Sequence, residues 1–149
     1  MIILYVTFTY KISLLKTIIM TAKTAALLIG IVFIAVGLLG YVDNPIIGNP
    51  DKAIFHTDAV HNIVHIASGA LFVLVALGAP GSATSVLILF GIVYLLIGVI
   101  GLATIGTSGM GMEFGVLHVN GADNFLHVAL GIFIFLVGIA TRKRVSAAS

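Results

Sequence analysis

All five histidines of this chain fall in two matching stretches, the second set 62 positions after the first. The first reads His56-Thr57-Asp58-Ala59-Val60-His61-Asn62-Ile63-Val64-His65, and the second reads His118-Val119-Asn120-Gly121-Ala122-Asp123-Asn124-Phe125-Leu126-His127. Both fit H-x-(D/N)-x-x-(H/D)-N-x-x-H, and each leads into a long apolar run. On a helix, His61 with His65 and Asp123 with His127 are i, i+4 pairs, so each pair shares one face. If the two faces meet, His61, His65, Asp123 and His127 supply three imidazoles and a carboxylate, a donor set suited to Zn²⁺ or a similar divalent ion. His65 and His127 alone would provide the axial ligands of a bis-histidine haem. The plainer chemistry is a polar clamp without any cofactor, in which His61, Asn62, His65, Asp123, Asn124 and His127 hydrogen-bond between helices.

Hydrolysis fits poorly. A zincin helix needs His-Glu-x-x-His, whereas His61-Asn62-Ile63-Val64-His65 has no glutamate base. No serine, threonine or cysteine nucleophile accompanies the motif at a recognisable spacing. Part of the motif has a purely local use. Asp58 and Asn120 are good N-cap residues, and His61 and Asp123 then fall at N3, where a side chain reaches back to the cap. Asn62 and Asn124 turn about 100° from their neighbours and are expected to support the cluster or bond to a facing helix. His56 and His118 are expected in water near the headgroups.

The elements that must position these groups are membrane helices. The chain is 60 % hydrophobic and only 8 % charged, with a mean hydropathy of +1.26. A domain of this size cannot hide that much apolar surface in its own core, so its solvent is lipid. No charge interrupts Thr24 to Val42 or Ala59 to Met112, and Ala79-Pro80-Gly81-Ser82 divides the longer run. The predicted spans are 24–42, 60–78, 84–105 and 122–141, each near the roughly 20 residues a bilayer requires. Strand-period alternation is absent, and helices satisfy their own backbone in lipid. The fold expected is an all-α integral membrane four-helix bundle made of two tandem transmembrane hairpins.

Charge sets the expected orientation. Lys11, Lys16 and Lys23 precede the first span and Arg142, Lys143 and Arg144 follow the last, while the acids lie in the first and third loops. The positive-inside rule then puts both termini in the cytoplasm and the histidine motifs on the outer side of an inner (plasma) membrane. A net charge of +2 on such a chain is a topology signal and gives no reason to expect a nucleic-acid partner. Cysteine is absent, which removes disulfides and thiolate ligands. Residues 1–23 read as a cytoplasmic lead-in, with Met20 a plausible true start. Residues 24–141 form the single transmembrane domain, and 142–149 a basic cytoplasmic tail.

A repeat extends beyond the histidines. Gly30, Gly37 and Gly40 recur as Gly91, Gly98 and Gly101 at an offset of 61, and Gly69 recurs as Gly131 at 62. The repeats run over about 24–83 and 84–141, each an even number of crossings, so both copies point the same way. The glycines are expected to let helix backbones approach where no hydrophobic effect drives association. Gly106-Thr107-Ser108-Gly109-Met110-Gly111 lacks a phosphate loop's lysine and reads as a flexible outer turn.

On these residues the chain resembles the small bacterial membrane proteins grouped as domain of unknown function 4383. The likeness rests on His61, Asn62 and His65, then on Asn120, Asp123, Asn124 and His127, and spans about 24–141. It implies a four-span inner-membrane protein and carries no activity to transfer. A fainter similarity to DoxX-like four-helix proteins concerns size and topology alone. The expected function is therefore a non-enzymatic membrane protein whose motif locks two hairpins together. The alternative is a divalent-metal or haem protein with a redox or metal-handling role. Lipid is the certain partner, and a homo-oligomer or a membrane-protein partner stays open.

Overall fold

The computed structural model describes residues 20–48, 53–107, 112–114 and 117–145. The lead-in 1–19, Lys52, positions 108–111 of the glycine-rich turn and the end of the tail lie outside the described residues. Four helices make up most of the chain: α1 (Ala22–Leu39), α2 (Ala59–Gly78), α3 (Ala83–Thr104) and α4 (Gly121–Val145). All four are long and apolar enough to cross a membrane.

Local chemistry fixes their ends. Thr21 caps α1 by accepting the Thr24 N–H at 3.1 Å. The helix stops at Leu39, three residues before the predicted 42, because Asn44 gathers the free carbonyls beyond it. Its Nδ2 donates to Leu39, Val42 and Ile47, while its Oδ1 accepts from the N–H groups of Ile46 and Ile47. Between α2 and α3 the chain needs only a single 3₁₀ turn, Pro80–Ser82, which proline presets. At the other end α4 runs past the predicted 141. The helix continues to Val145, beyond the last apolar residue of the span.

The loops that carry the histidine motifs are more ordered than the sequence suggests. In the first, β1 (Ile47–Gly48) pairs in parallel with β2 (Phe55–His56). In the third, β3 (Met112–Phe114) pairs antiparallel with β4 (Leu117–Val119). Gly48 sits at φ +133°, a conformation open to glycine alone at low cost. The strands are too short to have left an alternation signal. Strand β2 lies against β4 and the start of α4, and β4 against α2.

Packing is tight within hairpins and sparser between them: α1 lies along α2, and α3 along α4. Every one of the eight predicted packing glycines lies on one of these two seams. A Cβ on Gly30 would stand 2.7 Å from the Gly69 carbonyl, and one on Gly69 would stand 2.6 Å from the Gly30 carbonyl. Gly37 meets the backbone of Asn62 and Ile66, Gly98 that of Val128 and Asn124, Gly91 that of Phe135, and Gly131 that of Leu95. Gly40 lies directly under the Asn62 amide and Gly101 under the Asn124 amide. Gly138 belongs to the same seam, against Ile88, and was missed; Ala76 stands 62 positions before it.

The shared core between hairpins is built from Ala25, Ala26, Phe33, Phe72, Leu87 and Ile134, among others. Outward faces remain apolar, with Leu74 67 % and Leu77 62 % exposed, as suits acyl chains for a solvent.

Candidate functional site

The two motifs begin as helix caps. Asp58 Oδ1 accepts the His61 N–H at 2.7 Å at the mouth of α2. At the mouth of α4, Asn120 Oδ1 accepts the Asp123 N–H at 3.0 Å and Asp123 Oδ2 accepts the Asn120 N–H at 2.8 Å, a reciprocal capping box. Each cap leaves one carboxylate valence to spare, and each spends it on the other hairpin. Asp123 Oδ2 accepts the His56 N–H at 3.1 Å, and Asp58 Oδ2 accepts the His118 N–H at 3.0 Å. Asn120 Nδ2 adds a bond to the Ile54 carbonyl at 2.9 Å, and His61 Nδ1 donates to the His118 carbonyl at 3.2 Å. Four hydrogen bonds thus join the first loop and the start of α2 to the third loop and the start of α4. His56 and His118 are drawn into this seam: their rings stack with centroids 6.0 Å apart, and His56 is only 5 % exposed. Burial of His56 corrects the expectation that it sits in water, because the strand pairs fold the loops onto the helix mouths.

One turn below, three imidazoles meet. The His61 and His65 rings stack at 4.9 Å, and His127 approaches them at 5.8 and 6.2 Å. Their ligand nitrogens all lie within 4.8 Å of one another, and all three residues are buried. His127 Nδ1 donates to the Asp123 carbonyl at 2.6 Å. As with His61, that bond fixes the tautomer and leaves the lone pair on Nε2. Below the triad, Phe33 packs edge-on against His65 at 5.5 Å and Tyr94 stacks on His127 at 5.3 Å, closing the site with aromatic rings. Ser68 of α2 lines the same cavity as Tyr94.

The structure divides the predicted residues into three groups. His61, His65 and His127 come together. Asp123 is held by backbone N–H groups at the rim, which separates its carboxylate from the three nitrogens, although it borders the same cavity as His65 and His127. Asn62 and Asn124 turn away into their own hairpins, each against its glycine, so they support α1–α2 and α3–α4 contacts rather than the imidazoles. Residues that sequence reasoning missed are Asn44, Phe33, Tyr94 and Ser68. The Asn44-Pro45 pair signals a turn, and Phe33 and Tyr94 occupy equivalent places in the glycine repeat, so both had a readable trace.

A family model described as Domain of unknown function (DUF4383) matches residues 23–140. No curated protein and no solved structure matches the chain.

Proposed function

We propose for this chain, which belongs to the DUF4383 family, that its outer motif is a lock joining two duplicated transmembrane hairpins in a bacterial inner membrane. The protein acts through this assembled surface and not as an enzyme. The observation that carries the reading is reciprocal: each hairpin's cap carboxylate receives the backbone N–H of the other motif's first histidine. A cap made only for its own helix has no use for that second bond. Buried N–H groups with no water to turn to make such bonds matter, since stranding one costs about 1–3 kcal/mol.

Duplication is supported by matching contacts as well as matching letters. Gly40 under Asn62 and Gly101 under Asn124 repeat one arrangement in both hairpins. Lys23 at the start of α1 and Arg142 near the end of α4 favour a cytoplasmic position for both ends, with the lock facing outward.

Thermal unfolding in detergent of Asp58→Ala, Asp123→Ala and the double variant tests the lock. Asp123 holds two buried N–H groups, and its loss is expected to cost about 2–4 kcal/mol. For Asp58, about 1–3 kcal/mol is expected. A double variant as stable as wild type would refute the lock.

A further inference from the structure

We infer that His61, His65 and His127 form a three-histidine site for a late divalent transition metal such as Zn²⁺, Co²⁺ or Cu²⁺, bound between the two hairpins. The donor set selects this class, because neutral imidazole suits these ions while Mg²⁺ and Ca²⁺ demand oxygen. Three observations carry the inference. The three ligand nitrogens lie within 4.8 Å of one another. Around an ion with bonds of about 2.0–2.1 Å, tetrahedral ligands stand roughly 3.3 Å apart, so small side-chain rotations close the site. His61 and His127 each give Nδ1–H to a backbone carbonyl, the outer contact that orients metal-binding imidazoles. His65 Nδ1 is buried and has no hydrogen-bond partner among the described residues. A buried imidazole nitrogen with no protein partner is expensive in a structural clamp and is accounted for in a ligand shell.

Space argues for an ion and against a macrocycle. Two cavities of about 100 Å³ each adjoin the triad and are both bordered by His65 and His127. One opens between α1 and α4 beside Val32 and Leu126, the other between α2 and α3 beside Val64 and Val93. An apolar cavity of about 150 Å³ holds one benzene, so each of these has room for water and none for a tetrapyrrole. His61 also stands 5.8 Å from His127, within the gap a bis-histidine haem would fill. Three protein ligands with adjoining water-sized space leave room for a water as the fourth ligand of a bound ion.

The test uses the full chain in detergent, stripped with chelator and titrated with Co²⁺. One cobalt per chain is expected, with the visible ligand-field band of nitrogen ligation. His65→Ala and His127→Ala each weaken binding on the order of 100-fold or more, at least the loss seen on removing an outer partner. His56→Ala leaves cobalt binding unchanged. X-ray absorption of the zinc-loaded wild type, which needs no variant to fold, should show three imidazole nitrogens at about 2.0–2.1 Å. Absence of cobalt uptake, an oxygen-only shell, or loss on His56→Ala alone would overturn the site. The site leans on the lock only for the spacing of the hairpins. Asp58 and Asp123 variants that melt early in a protein that takes up no cobalt would sink the metal and leave the lock standing.

Discussion

The His56 N–H donates to Asp123 Oδ2 across 3.1 Å, although the two residues stand 67 positions apart. The bond runs from a two-residue strand in one hairpin to the first turn of the last helix in the other. It turns a local helix cap into a tertiary contact, and the His118–Asp58 bond returns the exchange. The carboxylates that cap the helices thus also accept N–H groups from the loop of the other hairpin.

Asn120→Asp separates local from tertiary roles. As helix caps the two residues are equivalent, so the cap alone predicts little change beyond repulsion from Asp123, which high salt weakens. Asn120 Nδ2, however, donates to the Ile54 carbonyl, and aspartate has no hydrogen to give. The variant also places a second carboxylate beside Asp123. A loss of about 1–3 kcal/mol is expected in chemical unfolding.

Much of this was legible in the sequence, for identifiable reasons. Charge-free runs and their length set the four helices, because lipid leaves the backbone no other solution. Cap residues Asp58 and Asn120 and the i, i+4 histidines could be read because helix spacing is fixed. The paths of Asn62 and Asn124 could not: their direction depends on Gly40 and Gly101 opening a niche on the neighbouring helix. Asp123 was grouped with the imidazoles by spacing alone. Its partners, the N–H groups of His56 and Asn120, are backbone atoms with no signature in residue type. The loop strands escaped for the same reason.

Glycine substitutions should split by position. Ala at Gly40 or Gly101 drives a methyl into the Asn62 or Asn124 amide, an overpacking expected to cost about 1–3 kcal/mol. Gly78 has nothing within 4 Å of an added Cβ. Gly78→Ala should be neutral or stabilise by up to about 1 kcal/mol. Melting temperatures of the three variants side by side check this.

Tyr94→Phe removes only the hydroxyl and keeps the ring stacked on His127. One interhelical hydrogen bond in a membrane contributes about 0.6 kcal/mol on average, so loss of the hydroxyl should cost no more than about that. Tyr94→Ala empties the aromatic floor and should cost about 3–5 kcal/mol. Equal effects in calorimetry would show that the ring does not support the triad.

Orientation is open to labelling, because the chain has no cysteine of its own. A membrane-impermeant maleimide applied to intact cells should modify Thr107→Cys, in the third loop, and spare Gly81→Cys, in the turn between α2 and α3. The reverse pattern would invert the topology.

The most direct measurement is a cross-link between the two histidine motifs. In a His56→Cys, His118→Cys double variant the backbone N–H donors of the lock remain, and the side chains replace rings that stack at 6.0 Å. A short bismaleimide should bridge them within one chain, read by intact mass, whereas Leu74→Cys with Leu136→Cys on the exposed faces should not bridge. Two separately modified cysteines, or bridges only between chains, would contradict the joining of the hairpins at this rim.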